Sequence, residues 1–204
     1  MGDTQVSVEG MAEAALTSED FLKATVEALS GSSRIKRQHA AAALAEVARK
    51  DVDKVSPYVE AIVDALNRPE ARTRWECLDA LTALVPTMPE ACDDAVDGAE
   101  ASLFDEDNGP VRLAAMRFLC KLGAVSQERS ARVWPLIDEG VQCYHGDVEF
   151  NDMLTALTEF SQGKLSDDVR KALVARMSFD AENGKGNLKR RATQIIQYVQ
   201  AETD

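Results

Sequence analysis

Apolar residues in this chain recur on a helical spacing, and the spacing itself repeats. Counting from Arg37, Ala40, Leu44 and Val47 lie three, seven and ten positions on. The same offsets from Arg74 reach Cys77, Leu81 and Leu84; from Arg112, Ala115, Leu119 and Leu122; from Phe150, Met153, Leu157 and Phe160; and from Lys189, Ala192, Ile196 and Val199. The five anchors stand 37, 38, 38 and 39 residues apart. Offsets 0, 3, 7 and 10 share one face of a helix, so each copy predicts a helix with one buried stripe.

Before each of these helices runs another apolar-periodic stretch, at 21–29, 58–66, 95–104, 134–144 and 168–179. The repeated unit is therefore two helices joined by a short turn. Thr17, Ser56, Ser126 and Ser166 are suited to N-capping the first helix of their units, with Pro57 at a first helical position. Thr87 with Glu90 reads as a capping box. Turns holding Gly31, Asn67, Asn108-Gly109-Pro110, Gly146 and Gly184 separate the paired helices. Short connections make neighbours antiparallel. The units run over 17–55, 56–86, 87–125, 126–164 and 165–204. Residues 1–16 have weak periodicity and read as an N-terminal tail, or else a short extra helix.

Two-helix units of this length resemble the HEAT-repeat family, through the repeated second-helix pattern and through Pro110-Val-Arg-Leu-Ala-Ala115. The resemblance implies an all-α, right-handed α-solenoid of about five antiparallel helix pairs. The armadillo and TPR patterns fit less well, because a third helix per unit is missing and the period exceeds 34. The resemblance also implies that the second helices line the binding surface. Their face opposite the core holds offsets one, five and eight, which gives Trp75, Asp79, Leu113, Arg117, Asn151 and Thr155 as candidate partner-binding residues. Trp and Arg are favoured at interface hot spots. Ala42 and Ala45 leave the first unit a shallow groove, and Cys120 and Thr158 fall on the same face.

The basic anchors Arg37, Arg74, Arg112 and Lys189 have two readings. They are an anion-binding ladder, or each pairs with an acid or carbonyl at a neighbouring turn, such as Glu70 or Asp107. The second is preferred, because the anchors share the core face. Phe150 interrupts the series either way.

The chain has 204 residues, 45% of them hydrophobic and only 5% aromatic, which suits close-packed helices. Thirty-five acids against 23 bases give a net charge of −12, which opposes general binding to a phosphate backbone. Eight carboxylates and no base lie between Glu90 and Asp107, with Asp93, Asp97 and Glu100 on one helix face. That is a solvated surface, or a patch for a basic partner. No membrane span or secretory signal is read, so the expected setting is the cytoplasm with reduced cysteines.

No metal or cofactor is expected. Cys143-x-His145 lacks a second ligand pair, and Asp105-Glu-Asp107-Asn-Gly109 lacks the acid that closes a calcium loop. One enzymatic pattern remains. Trp75-Glu-Cys-Leu-Asp79 is similar to the active-site motif of HEAT-like alkylation-repair DNA glycosylases, with Asp79 stabilising a cationic base, Trp75 the groove aromatic and Arg112 (or Arg117) the arginine. A second groove aromatic is missing. The leading expectation is thus a non-catalytic scaffold holding a protein or peptide along the second helices. The glycosylase, and a structural subunit of a larger complex, are the alternatives.

Overall fold

The computed structural model describes residues 7–201, and among these there are helices and turns but no strand. The first six residues of the expected tail and the last three of the fifth unit lie outside the described residues. The chain divides into two compact units, residues 1–98 and 99–204.

The first unit contains α1 (Val8–Thr17), α2 (Glu19–Ala28), α3 (Arg34–Lys50), α4 (Val52–Val55), α5 (Val59–Asp64), α6 (Ala71–Leu84) and α7 (Pro89–Cys92). It ends inside α8 (Val96–Leu103). The second unit continues with α9 (Gly109–Gly123), α10 (Gln127–Cys143), α11 (Phe150–Phe160), α12 (Asp167–Asn183) and α13 (Gly186–Ala201). The repeated stripe falls on α3, α6, α9, α11 and α13. Its positions three, seven and ten are buried in the first four copies. In the last copy Ala192 and Val199 are buried, but Ile195 replaces Ile196 as the fully covered residue. Ile196 is half-buried, beside the exposed Gln197 and Gln200.

Residues 8–17 form a helix. Ser7 caps α1, its hydroxyl accepting from the Gly10 amide at 3.1 Å. Ala12 and Ala15 are fully buried, and α1 packs on α3 and α2. It stands against α3 as α11 stands against α9, and so adds half a repeat to the first unit. With α1 on one flank and α6 on the other, Ala42 and Ala45 are buried, which corrects the shallow groove expected there.

Ser126 and Ser166 cap their helices as expected, accepting from the Arg129 and Val169 amides. Three other caps differ. Ser18, not Thr17, caps α2. The Ser56 hydroxyl donates to the Asp53 carbonyl because the helical run begins earlier, at Val52. The Thr87 hydroxyl donates back to Leu84, so no capping box forms with Glu90. The early start splits the first helix of the second repeat, since Ser56-Pro57-Tyr58 is a 3-10 turn between α4 and α5. A similar turn, Asp93–Ala95, separates α7 from α8.

The basic anchors Arg37, Arg112 and Lys189 have structural roles. The Arg37 guanidinium donates to the Gly31 carbonyl at 2.7 Å and holds both oxygens of Glu70, which precedes α6. Arg112 donates to the carbonyls of Asp105 and Glu106, at 3.0 and 3.1 Å, and pairs with Glu149 before α11. Lys189 reaches the Glu182 carbonyl at 3.0 Å. Each of these three anchors thus satisfies carbonyls in the turn after the preceding helix or in its last turn. The two arginines also grip the next repeat. The expected pairing with Asp107 is not made; Glu149 takes that place. Where Phe150 occupies the anchor, His145 binds the buried Asp180 instead, Nε2 lying 3.1 Å from both carboxylate oxygens.

Two consequences can be measured. Hydrogen bonding to Arg37 lowers the Glu70 pKa against the opposing effect of burial. Its stabilising contribution is therefore complete above the ordinary glutamate range and is lost as pH falls through the depressed folded value. Urea midpoints should show Glu70→Gln less stable than the parent at pH 7, with the gap closing near pH 3; a gap independent of pH would show the pair to be uncoupled. Separately, a Cβ at Gly163 would lie 2.5 Å from the Ala124 Cβ and 2.6 Å from its Cα. Gly163→Ala should cost about 1–3 kcal/mol by the same measurement.

Candidate functional site

In the first unit the outward faces of α3 and α6 bring together Glu46, Arg49, Arg72, Trp75, Glu76 and Asp79. Arg49 donates to Glu46 at 2.8 Å and lies 4.0 Å from Asp79 across the helix pair. Trp75 and Asp79 stand one turn apart, both half-buried. Between them Glu76 is mostly buried, its side chain 14% exposed, with Arg72 at 3.6 Å. Burial raises its pKa, and this outweighs the hydrogen bond from Trp75 and the charge of Arg72. The sequence pattern passed over Glu76, because its burial comes from packing and leaves no periodic signal.

In the second unit α11 packs between α9 and α13. Leu113 is half-buried and Arg117 exposed on α9, with Lys121 exposed one turn further on. Asn151 on α11 accepts from the Asn187 amide at 3.2 Å, and Asn187 in turn accepts from Arg190 at 2.5 Å. Thr155 is tied to its own helix, donating to the Asn151 carbonyl at 3.2 Å. Asn187 and Lys121 are therefore additions to the predicted set.

Offset eight belongs to this surface only in part. Ala45, Cys120 and Thr158 are buried, whereas Thr82 is half-buried and Gln197 exposed. The outward stripe runs through offsets one, five and nine. Burial pushes the Cys77 and Cys120 thiols up, which keeps them protonated packing groups.

Of the residues read as a glycosylase-like set, Trp75 and Asp79 sit together on α6. Arg112 lies in the second unit, where its guanidinium is taken up by Glu149 and two carbonyls and lies 4.8 Å over the Tyr144 ring. The acidic stretch contributes Asp94 and Asp97 to a cavity of about 480 Å³ between first helices, which Glu60 and Asp64 also line. No described helix is long and apolar enough to cross a membrane.

No protein-family model matches the chain, and no curated protein matches it either. Solved structures do. A designed armadillo repeat protein in complex with the peptide (KR)4 is 11% identical with a TM-score of 0.73, over 94% of this chain and 91% of its own. An engineered protein is 18% identical with a TM-score of 0.72, over 98% and 95%. An archaeal HEAT-like repeats protein from Thermococcus onnurineus NA1 is 15% identical with a TM-score of 0.56, over 97% and 94%. The fold is that of the armadillo/HEAT-like helical repeats. It is an α-solenoid of about five antiparallel helix pairs. The split first helices, α4 with α5 and α7 with α8, give two of the repeats a three-piece character.

Glu76 offers a test of this site's electrostatics. Its folded pKa is raised, so ionisation costs stability as pH rises through that value, opposite in sign to Glu70. Glu76→Gln keeps an acceptor for Trp75 and should unfold at a higher urea concentration than the parent at pH 7, but at an equal one near pH 3. A loss of stability at pH 7 would mean that Arg72 already compensates the charge.

Proposed function

We propose that the protein is a non-catalytic scaffold that holds a protein or peptide partner along the outward faces of its second helices. Trp75 and Asp79 contact the partner on the first unit; Leu113, Arg117, Asn151 and Thr155 contact it on the second. The observation that carries this reading is the side-chain content of those faces. A half-buried tryptophan flanked by carboxylates, and a leucine flanked by exposed bases and an amide network, combine apolar anchors with orienting polar groups. A peptide-bound designed armadillo protein of the same fold supports it. We place the protein in the cytoplasm, since its four cysteines are free and three are buried, as suits a reducing compartment.

Peptides selected against the purified protein by display test the proposal. Trp75→Ala and Arg117→Ala should each weaken the selected peptides about tenfold or more in calorimetric titration. Selected peptides that bind both variants as tightly as the parent would show that these faces are not the site.

A further inference from the structure

Charge in this molecule is sorted by helix type. The second helices α3, α6, α9, α11 and α13 contain thirteen bases and five acids, in a chain of net charge −12. The carboxylates therefore concentrate on the first helices, the turns and the termini. Some of the basic excess is internal, since Arg37 and Arg112 hold Glu70 and Glu149. On the second unit much of it faces outward. α9 carries Arg117 and Lys121, both exposed, and no acid. α13 carries Lys189, Arg190 and Arg191 and no acid. Arg190 is bonded to a neutral amide, Asn187. A shallow cavity of about 600 Å³ on α13 is lined by Arg190, Arg191, Thr193, Gln194 and Gln197, all of which carry N–H or O–H donors. The opposing charges on this face are Asp152 and Glu159 of α11, one exposed at each end of that helix.

From this complementarity we infer that the second unit's face of α9, α11 and α13 recognises an acidic peptide segment, its carboxylates set against Arg117, Lys121 and Arg190. The inference rests on the scaffold reading and adds the partner's chemistry, opposite in sign to the basic peptide of the designed armadillo complex. Guanidinium groups bind carboxylates in bidentate fashion, and the amides of Asn151 and Gln194 suit a peptide backbone. A nucleic acid fits less well. A long polyanion would run from this face onto surfaces rich in carboxylate, and the described face of α9, α11 and α13 offers no row of aromatic rings on which bases could stack.

Fluorescence anisotropy with three probes of equal length tests the inference: an alternating Asp/Glu octapeptide, the basic peptide (KR)4 and a single-stranded DNA octamer. The acidic peptide should bind, weaken as salt rises, and lose about tenfold or more in affinity on Arg117→Glu with Arg190→Glu. Both side chains are exposed, and circular dichroism of the variant should match the parent. Failure of the acidic peptide to bind overturns the inference, as does tighter binding of (KR)4 or of DNA. Display-selected peptides that are neutral or basic yet sensitive to Trp75→Ala would overturn it as well, while leaving the scaffold reading intact.

Discussion

A pair of helices totalling fewer than 40 residues cannot bury its own apolar stripe, and the rest of this structure follows from that shortage. The first four second helices turn positions three, seven and ten into the repeat, and small flanking residues, such as Ala43, Ala80 and Ala156, lie buried. Alanine there lets helices approach closely, which explains a core poor in aromatic rings. Within the first unit α1 adds a further half-repeat, burying Ala12 and Ala15 against its neighbours.

Stacking alone would let repeats slide, and the anchor position opposes this. One guanidinium closes the carbonyl end of the helix before it and grips the carboxylate before the next repeat. Local capping and inter-repeat register thus depend on the same side chain. Such pairs contribute more to register than to net stability, because desolvating both ions offsets their attraction. At Phe150 the two roles separate: the aromatic ring joins the core, and His145 takes over the grip on Asp180 while its own ring packs against Phe150 at 4.9 Å.

What was legible in the sequence was whatever repeats. The period exposed the paired helices, the buried stripe and the structural meaning of the anchors, since five copies average out local accident. What occurs once was less legible. α1 is ten residues of mostly small side chains, and only its contacts with α3 and α2 make it a helix worth forming. The capping box at Thr87 had the right residues, but the hydroxyl found a nearer carbonyl. Offset eight is buried in three copies for a geometric reason: it lies beside the outward stripe, within reach of a neighbouring helix, and Gln197 on α13 is the exposed exception. Trp75 and Arg117 could be placed on the outward stripe because position alone marks them. Glu76 and Asn187 could not, as one depends on how deeply α6 is buried and the other on a turn whose direction no spacing reveals.

The sorting of charge bears on how such a protein stays selective. Net charge acts at long range, and at −12 it turns away polyanions wherever the first helices face the solvent. Of the second helices, α3, α9 and α13 invert that sign locally while α6 is balanced and α11 is acidic, and such contrasts act within the screening length in physiological salt, roughly 8 Å. An acidic segment short enough to lie within the inverted strip feels the nearby bases. A longer or more highly charged one also feels the surrounding carboxylates. On the proposed reading, the acidic exterior would filter partners by length and charge, since most of the bases and most of the carboxylates lie on different helices.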